Sequence, residues 1–258
     1  MVDLRSTRMN CLYRGIVLAS LCLVPSAVFG GSPHSQESEQ TPGKDDPYLV
    51  CEQGKRQSPI NIVTLEHEDR HHDLVFRYHP TTIHVVHDGH SFQGLSESNS
   101  LVLFDGHSYQ FLQLHFHDPS EHQIDGTSYP MEMHLVHKDS EGKLLVIGVL
   151  IQEGEEQNEL ARASAWIRKQ VGHRMLQSGE EVAGEYQFNP MKVLPKDQKH
   201  FYAYSGSLTT PPCTEGVQWI VLKEPIELSK DQIDRFMRAY GPIARPVQPL
   251  HDREIQAQ

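Results

Sequence analysis

Residues 109–122 read YQFLQLHFHDPSEH. From Gln113 to His117 polar and apolar side chains alternate, which is the pattern of a β-strand with two different faces. Side chains two apart on a strand point to the same side, so His115 and His117 share one face. A single His-x-His pair is more often a pair of surface histidines than a metal site. The pair therefore needs support from elsewhere in the chain.

The surrounding sequence predicts a sheet protein. Short apolar or alternating runs are separated by turn-forming pairs such as Asp105-Gly106 and Asp125-Gly126. The runs are LVFRYH (74–79), TIHVVH (82–87), LVLF (101–104), MEMHLVH (131–137), KLLVIGVLIQ (143–152), HFYAYSG (200–206) and VQWIVL (217–222). Helical spacing is confined to residues 157–171 and 229–240, where Ser229 is a predicted N-cap and Gly241-Pro242 a predicted stop.

A third histidine supports the metal interpretation. His134 lies in the next β-run, and a hairpin between the two runs would place it beside His115 and His117. Three imidazoles with an open fourth position are typical of a catalytic zinc site, whereas a structural site is closed by four protein ligands. Gln113 and Glu132 each precede a histidine by two residues, so they are the expected acceptors for the second ring nitrogens.

A second metal class fits the same histidine spacing. His-x-His-x3-Glu on a β-framework is also the pattern of cupins, in which Glu121 would be a fourth ligand to iron or manganese in an oxygenase or isomerase. The histidine spacing alone leaves both interpretations open.

The N-terminus predicts export. Residues 1–30 combine arginines with an apolar run that ends in small residues, as in a signal peptide, and residues 31–50 form a polar tail. We therefore expect the folded domain at residues 51–258, a periplasmic or secreted location and no stable membrane span in the mature chain. Removal of the signal leaves Cys51 and Cys213, which predicts one disulfide in an oxidising compartment.

The charge of the chain argues against one class of function. The 258 residues carry a formal net charge of -11, which disfavours nucleic-acid binding. The length suits one domain with a substantial core. The sequence is compatible with a homodimer.

Five motifs that occur in order along the chain decide between the zinc and the cupin interpretations. They are QSPINI (57–62), HFHDPSEH (115–122), EMHLVH (132–137), SLTTPPC (207–213) and RPVQPL (245–250). Together, from about Cys51 to Arg253, the chain resembles an α-class carbonic anhydrase of bacterial type. The resemblance implies a mainly β (α+β) single domain on a large twisted mixed, mostly antiparallel sheet with a few short surface helices. It also implies reversible hydration of carbon dioxide by attack of zinc-bound hydroxide, with some activity toward activated esters.

The resemblance implies a role for each motif residue. Zinc (Zn2+) would bind His115, His117 and His134, lowering the pKa of a bound water to about 7, a value for which carbonic anhydrase is itself the standard example. Thr209 is similar to the threonine that accepts a hydrogen bond from the hydroxide and donates one to a glutamate, here Glu121. Thr210 would contact bicarbonate or an inhibitor. The expected carbon dioxide wall is Val136, Val146, Leu208, Val217 and Trp219.

Proton transfer is where the sequence departs from the family. His90 corresponds to the family's shuttle histidine, and His87 is a candidate second relay. The family's N-terminal aromatic segment has no counterpart in residues 31–50, where Tyr48 is the only aromatic residue. A binding module on the same fold would require loss of a metal histidine, and all three are present.

Overall fold

The computed structural model describes residues 48–87, 92–172, 176–182 and 184–258. Within these ranges the chain forms many strands and few helices. The strands are β1 (Asn61–Ile62), β2 (Glu68–Asp69), β3 (Leu74–Arg77), β4 (Thr81–His87), β5 (Phe92–Ser96), β6 (Leu101–Phe104), β7 (His107–His117), β8 (Gln123–Ile124), β9 (Thr127–Ser128), β10 (Met131–Lys138), β11 (Leu144–Glu153), β12 (Tyr186–Phe188), β13 (Phe201–Ser207), β14 (Glu215–Leu228) and β15 (Gln256–Ala257). The helices are α1 (Leu49–Gln53), α2 (Asn158–Val171) and α3 (Lys230–Tyr240), with a 3-10 turn at Pro190–Val193.

One large mixed sheet organises the described residues. Its strand order is β12-β4-β5-β7-β10-β11-β14-β13-β15-β2, and β6 pairs with both β3 and β7. The pairs β11/β14 and β15/β2 are parallel, and the other pairs in this sheet are antiparallel. A small second sheet has the order β1-β8-β9. The predicted mainly β class with a mixed, mostly antiparallel sheet is confirmed.

The strand register divides the apolar side chains between the two faces of the sheet. Met133, Leu135, Ile147 and Val149 belong to the larger buried cluster. Val136, on the alternate face of β10, belongs to a second buried cluster, which also contains Val146, Val217 and Trp219. Strand β10 is buried from Met131 to His137, including its glutamate and histidines. Polar side chains buried at this depth require hydrogen-bond partners.

Both predicted helices are present, and their ends follow the capping residues. The Ser229 side chain accepts a hydrogen bond from the N–H of Gln232, whose side chain in turn accepts one from the N–H of Ser229, forming a capping box. Gln157 caps α2 by accepting hydrogen bonds from two main-chain N–H groups. Gly241 follows α3 with a φ of 67°, a conformation that glycine adopts without strain.

Helix α1 (Leu49–Gln53) spans the predicted boundary between the polar tail, residues 31–50, and the folded domain, residues 51–258. The predicted signal peptide, residues 1–30, lies outside the described residues. Among those that are described, no helix is long and apolar enough to cross a bilayer.

Candidate metal centre

The antiparallel pairing of β7 and β10 brings the three predicted histidines together. His134 pairs with His115, and Glu132 pairs with His117. The ring centroids are 4.9 Å apart for His115 and His117, 5.2 Å for His115 and His134, and 4.5 Å for His117 and His134. One ligand atom from each ring lies within 4.8 Å of the others. This spacing lets three imidazoles face a single ion.

The remaining ring nitrogens face acceptors. His115 Nδ1 lies 2.8 Å from Gln113 Oε1, and His117 Nδ1 lies 3.4 Å from the main-chain oxygen of Ile243. His134 Nε2 lies 3.0 Å from Glu132 Oε1. The two acceptors expected from strand spacing are therefore in place. Such contacts hold each ring in one orientation and leave the opposite nitrogen for a metal ion.

The donor set fits zinc. His117 Nε2 is buried and has no hydrogen-bond partner within the described residues, which is costly unless another group binds it. Three imidazole nitrogens, with oxygen acceptors behind them, form the ligand set of mononuclear zinc sites that keep a position open. The residues present thus match the ion that the motifs imply.

Electrostatics keep two of the rings neutral. Burial lowers the pKa of His115 well below its usual value and also lowers that of His117. Burial acts the same way on His134, but the charge of Glu132 outweighs it and raises the pKa of His134. Burial also opposes ionisation of Glu132, yet His122 and His134 hold its pKa well below the usual value. Glu132 is therefore the fixed negative charge beneath the site.

Glu121 is close to the histidines but is held by a different contact. It is 2% exposed, and its Oε1 accepts a hydrogen bond of 2.9 Å from the N–H of Arg245. Its Oε2 is buried and has no hydrogen-bond partner within the part of the chain that the structure describes. Glu121 Oε2 therefore does not accept the hydrogen bond that is expected from Thr209. Oε2 remains available as an acceptor.

Thr209 and Thr210 lie on a loop between β13 and β14. The N–H of Leu208 donates to the oxygen of Thr214, and the N–H of Cys213 donates to the oxygen of Thr210. Thr209 is partly buried, whereas Thr210 is exposed. Two internal hydrogen bonds thus close the loop that carries both threonines.

The predicted apolar wall is one contiguous group. Val136, Val146, Val217 and Trp219 are buried in the second cluster, and Leu208 packs against it. The Trp219 ring centroid is 4.8 Å from that of His134, and Trp219 Nε1 donates to the oxygen of Ser207 at 2.9 Å. Apolar side chains therefore flank the histidine cluster on this face.

The predicted disulfide is present. Cys51 and Cys213 are bonded, with Cα atoms 5.0 Å apart and a sequence separation of 162. It joins α1 to the loop that carries Thr209.

Sequence reasoning missed a buried network beside the site. His122 Nδ1 lies 2.8 Å from Glu132 Oε1, and His122 Nε2 lies 2.7 Å from the Tyr204 hydroxyl. That hydroxyl is 2.8 Å from Ser58 Oγ. His122 and Ser58 stand inside quoted motifs, so the motifs themselves were the available signal. The contacts depend on how distant segments meet.

The structure bears differently on the two predicted proton-transfer residues, His90 and His87. His90 lies outside the described residues. His84 pairs with Leu95, which pairs with Gln113, so these three side chains share the face of the metal centre. His87 is three residues from His84 and points to the opposite face. The expectation that His87 is a second relay is therefore not supported by the strand geometry.

The sheet and its site define a class of protein. Three imidazoles lie on one face of a large mixed sheet, two of them buried and that of His115 partly buried, with an acidic acceptor behind them and an apolar wall beside them. This arrangement matches that of a mononuclear metalloenzyme centre.

Comparison with known proteins identifies the family. The profile of the eukaryotic-type carbonic anhydrases matches residues 39–258. A carbonic anhydrase of Pectobacterium atrosepticum is 35% identical over 246 residues, covering 92% of this chain and 97% of its own. An alpha-carbonic anhydrase of Thermovibrio ammonificans, solved with the inhibitor sulfanilamide, has a TM-score of 0.72 and 38% identity, covering 81% of this chain and 90% of its own. An alpha-carbonic anhydrase of Photobacterium profundum has a TM-score of 0.74 and 34% identity, covering 82% and 93% respectively.

The chain belongs to the alpha-class carbonic anhydrase family. The enzyme class expected from the five motifs is confirmed. The match begins at residue 39, earlier than the Cys51 boundary expected from the motifs. The cupin interpretation is not favoured, and Glu121 is absent from both groups of described residues that could hold a metal ion.

Proposed function

We propose that the chain catalyses the zinc-dependent, reversible hydration of carbon dioxide to bicarbonate and a proton. The observation that carries the proposal is the cluster of His115, His117 and His134, in which each outer ring nitrogen faces an oxygen acceptor. When bound, the zinc ion lowers the pKa of a water ligand enough to make hydroxide available near neutral pH, chemistry for which carbonic anhydrase is itself the standard example.

Glu121 and Thr209 orient the attacking oxygen. Glu121 Oε1 is already occupied by the N–H of Arg245, so Oε2 is the oxygen left to accept a hydrogen bond from the Thr209 hydroxyl. Once its hydroxyl hydrogen is directed to Glu121, Thr209 can act toward the site only as an acceptor. This polarity directs a lone pair of the attacking oxygen toward the substrate.

The apolar wall holds carbon dioxide. The substrate is small and has no strong hydrogen-bonding group, so a dry surface next to the reacting oxygen suits it. Trp219 and Val146 are nearly fully buried, and Leu208 is beside Thr209 in the chain. Thr210, exposed at the rim, would contact the bicarbonate product. The same wall and oxygen would also support slow hydrolysis of activated esters.

The proton leaves through His90. A histidine side chain ordinarily titrates near neutrality, so this residue type can accept a proton and release it to solvent at the working pH. The disulfide and the predicted signal peptide support export to a periplasmic or secreted location, where carbon dioxide and bicarbonate would exchange without nucleic-acid or membrane partners.

A stopped-flow hydration assay tests the proposal. Freshly purified mature protein is expected to contain zinc and to hydrate carbon dioxide well above the uncatalysed rate. Activity should disappear after dialysis against a chelator and return with zinc but not with magnesium. Sulfanilamide, the ligand in the Thermovibrio ammonificans structure, should inhibit the zinc-loaded protein. Protein that contains zinc yet shows no hydration above background would contradict the proposed reaction.

A further inference from the structure

Glu121 and Thr209 lie in segments that are far apart in sequence. Glu121 follows β7 and is held by the N–H of Arg245, while Thr209 follows β13 on a loop closed by its own hydrogen bonds. These local contacts fix each segment. They do not set the distance between the two side chains, on which the proposed orientation of the oxygen depends.

The Arg245 side chain reaches the N-terminal segment. Its Nη1 donates to Gln57 Oε1 at 2.9 Å and to the oxygen of Ser58 at 2.7 Å, and its Nη2 donates to the oxygen of Cys51 at 2.8 Å. The same residue therefore holds Glu121 through its main chain and residues 51–58 through its guanidinium. Several hydrogen bonds from one planar group leave little freedom of orientation.

Gln57 and the disulfide continue the link to the Thr209 loop. Gln57 is 2% exposed, and its Nε2 donates to the oxygen of Cys213 at 3.2 Å and to Glu215 Oε1 at 3.0 Å. Cys51 is bonded to Cys213. Residues 51–58 are thus joined to Arg245 on one side and to the loop of Thr209 on the other.

We propose that Arg245 and Gln57 are positioning residues that set the separation between Glu121 and Thr209, with the Cys51–Cys213 disulfide closing the same link. We call Cys51, Gln57, Cys213 and Arg245 the brace. The inference rests on the proposed function, because the separation matters only if Glu121 and Thr209 act on the attacking oxygen. A misplacement of about 1 Å in such a pair can cost on the order of 100-fold in rate.

Arg253 provides a matched control. It is also a mostly buried arginine, and its guanidinium donates to the main-chain oxygens of Leu250, Pro249 and Ser205. None of these contacts includes a brace residue. Arg253→Met therefore removes a similar number of hydrogen bonds from the fold, but none that a brace residue makes.

The experiment compares Arg245→Met with Arg253→Met in two measurements. The first is kcat/KM for carbon dioxide as a function of pH, measured well below both melting temperatures and corrected for zinc content. We expect Arg245→Met to lose about 10- to 100-fold more of its kcat/KM than Arg253→Met, with a displaced pH profile. Arg245→Lys should recover part of the loss, since its ammonium can still reach one main-chain oxygen.

The second measurement is hydrogen–deuterium exchange of residues 208–214 in metal-free protein. We expect faster exchange in Arg245→Met and in Gln57→Met, and unchanged exchange in Arg253→Met. If the two arginine variants agree in kcat/KM and in exchange, the brace is overturned as a positioning device. If Arg245→Met does not fold, Gln57→Met decides by the same criteria. Wild-type protein that lacks hydration activity would refute the proposed function instead, and the exchange comparison would still test the link.

Discussion

His134 lies directly opposite His115 on the neighbouring antiparallel strands β10 and β7, with ring centroids 5.2 Å apart. The three-histidine cluster is therefore a consequence of strand register. A slip of one residue would turn His134 to the other face of the sheet, where Met133 and Leu135 belong to the apolar core. The buried side chains of β10 make such a slip unfavourable, because they differ in polarity between the two faces.

Replacing His134 with Ala is expected to abolish zinc retention. Two imidazoles remain, and a two-ligand site does not hold zinc through dialysis. The measurement is zinc content by atomic emission after dialysis against metal-free buffer. His71→Ala is the control, because the His71 side chain is 83% exposed. Stoichiometric zinc in the His134→Ala protein would contradict the assigned ligand set.

Replacing Glu132 with Gln is expected to weaken zinc binding by about 10- to 100-fold, the usual cost of losing an acceptor behind a histidine ligand. The neutral amide keeps the shape of the side chain but removes the charge that lies 3.0 Å from His134 Nε2 and 2.8 Å from His122 Nδ1. Competition with a chromophoric chelator gives the dissociation constant. An unchanged dissociation constant for zinc would contradict a role for Glu132 in orienting the His134 ring.

Much of the site could be predicted because it depends on short-range rules. A period of two residues places His115, His117 and Gln113 on one face, and the same period relates Glu132 to His134. The helices were predictable for a similar reason, since apolar spacing and, for α3, the capping residue Ser229 are local signals.

Contacts between distant segments could not be predicted in this way. The buried contact of His122 with Tyr204 depends on the path of the chain between β7 and β10 and on the neighbouring strand β13. Strand β15, only Gln256–Ala257, lies between β13 and β2. Two residues carry too little periodicity to identify a strand. Strand β5 was also missed, because Gly94 interrupts a short and mostly polar run.

Stability in acid should depend on His137. The ring is fully buried, and this burial lowers its pKa from 6.5 to about 3. Because the unfolded chain binds the proton more tightly, stability is retained above pH 6.5 and lost as the pH falls from about 6.5 to 3, on the order of 1 kcal/mol per pH unit. Urea midpoints of metal-free protein between pH 4 and 7 should show a shallower slope for His137→Gln.

The matched control for this slope is His71→Gln, which alters an exposed histidine. His137 Nε2 lies 2.6 Å from the Tyr78 hydroxyl, which donates to the neutral ring and has no acceptor if the ring is protonated there. A His137→Gln protein whose stability falls as steeply with acid as the wild type would show that other groups control acid unfolding.

Loss of the disulfide is expected to lower the free energy of unfolding by about 2–5 kcal/mol. Cys51 and Cys213 are separated by 162 residues, so the bond restricts a long loop in the unfolded chain. The double substitution Cys51→Ser/Cys213→Ser should shift the urea midpoint, and wild-type protein in reductant should approach the same midpoint. Titration of unfolded mature protein should find no free thiol. Two free thiols, or a midpoint insensitive to reductant, would oppose this expectation.

Proton release is expected to depend on His90 and not on His87. His90→Ala should lower kcat for hydration by about tenfold or more in weak buffer, because the proton then lacks a nearby acceptor, and added imidazole should restore the rate. His87 lies on β4 with its side chain on the face opposite to Gln113. His87→Ala is therefore the control and should keep the wild-type buffer dependence. If imidazole gives no rescue of His90→Ala, or if His87→Ala shows the deficit instead, the proton leaves by another route.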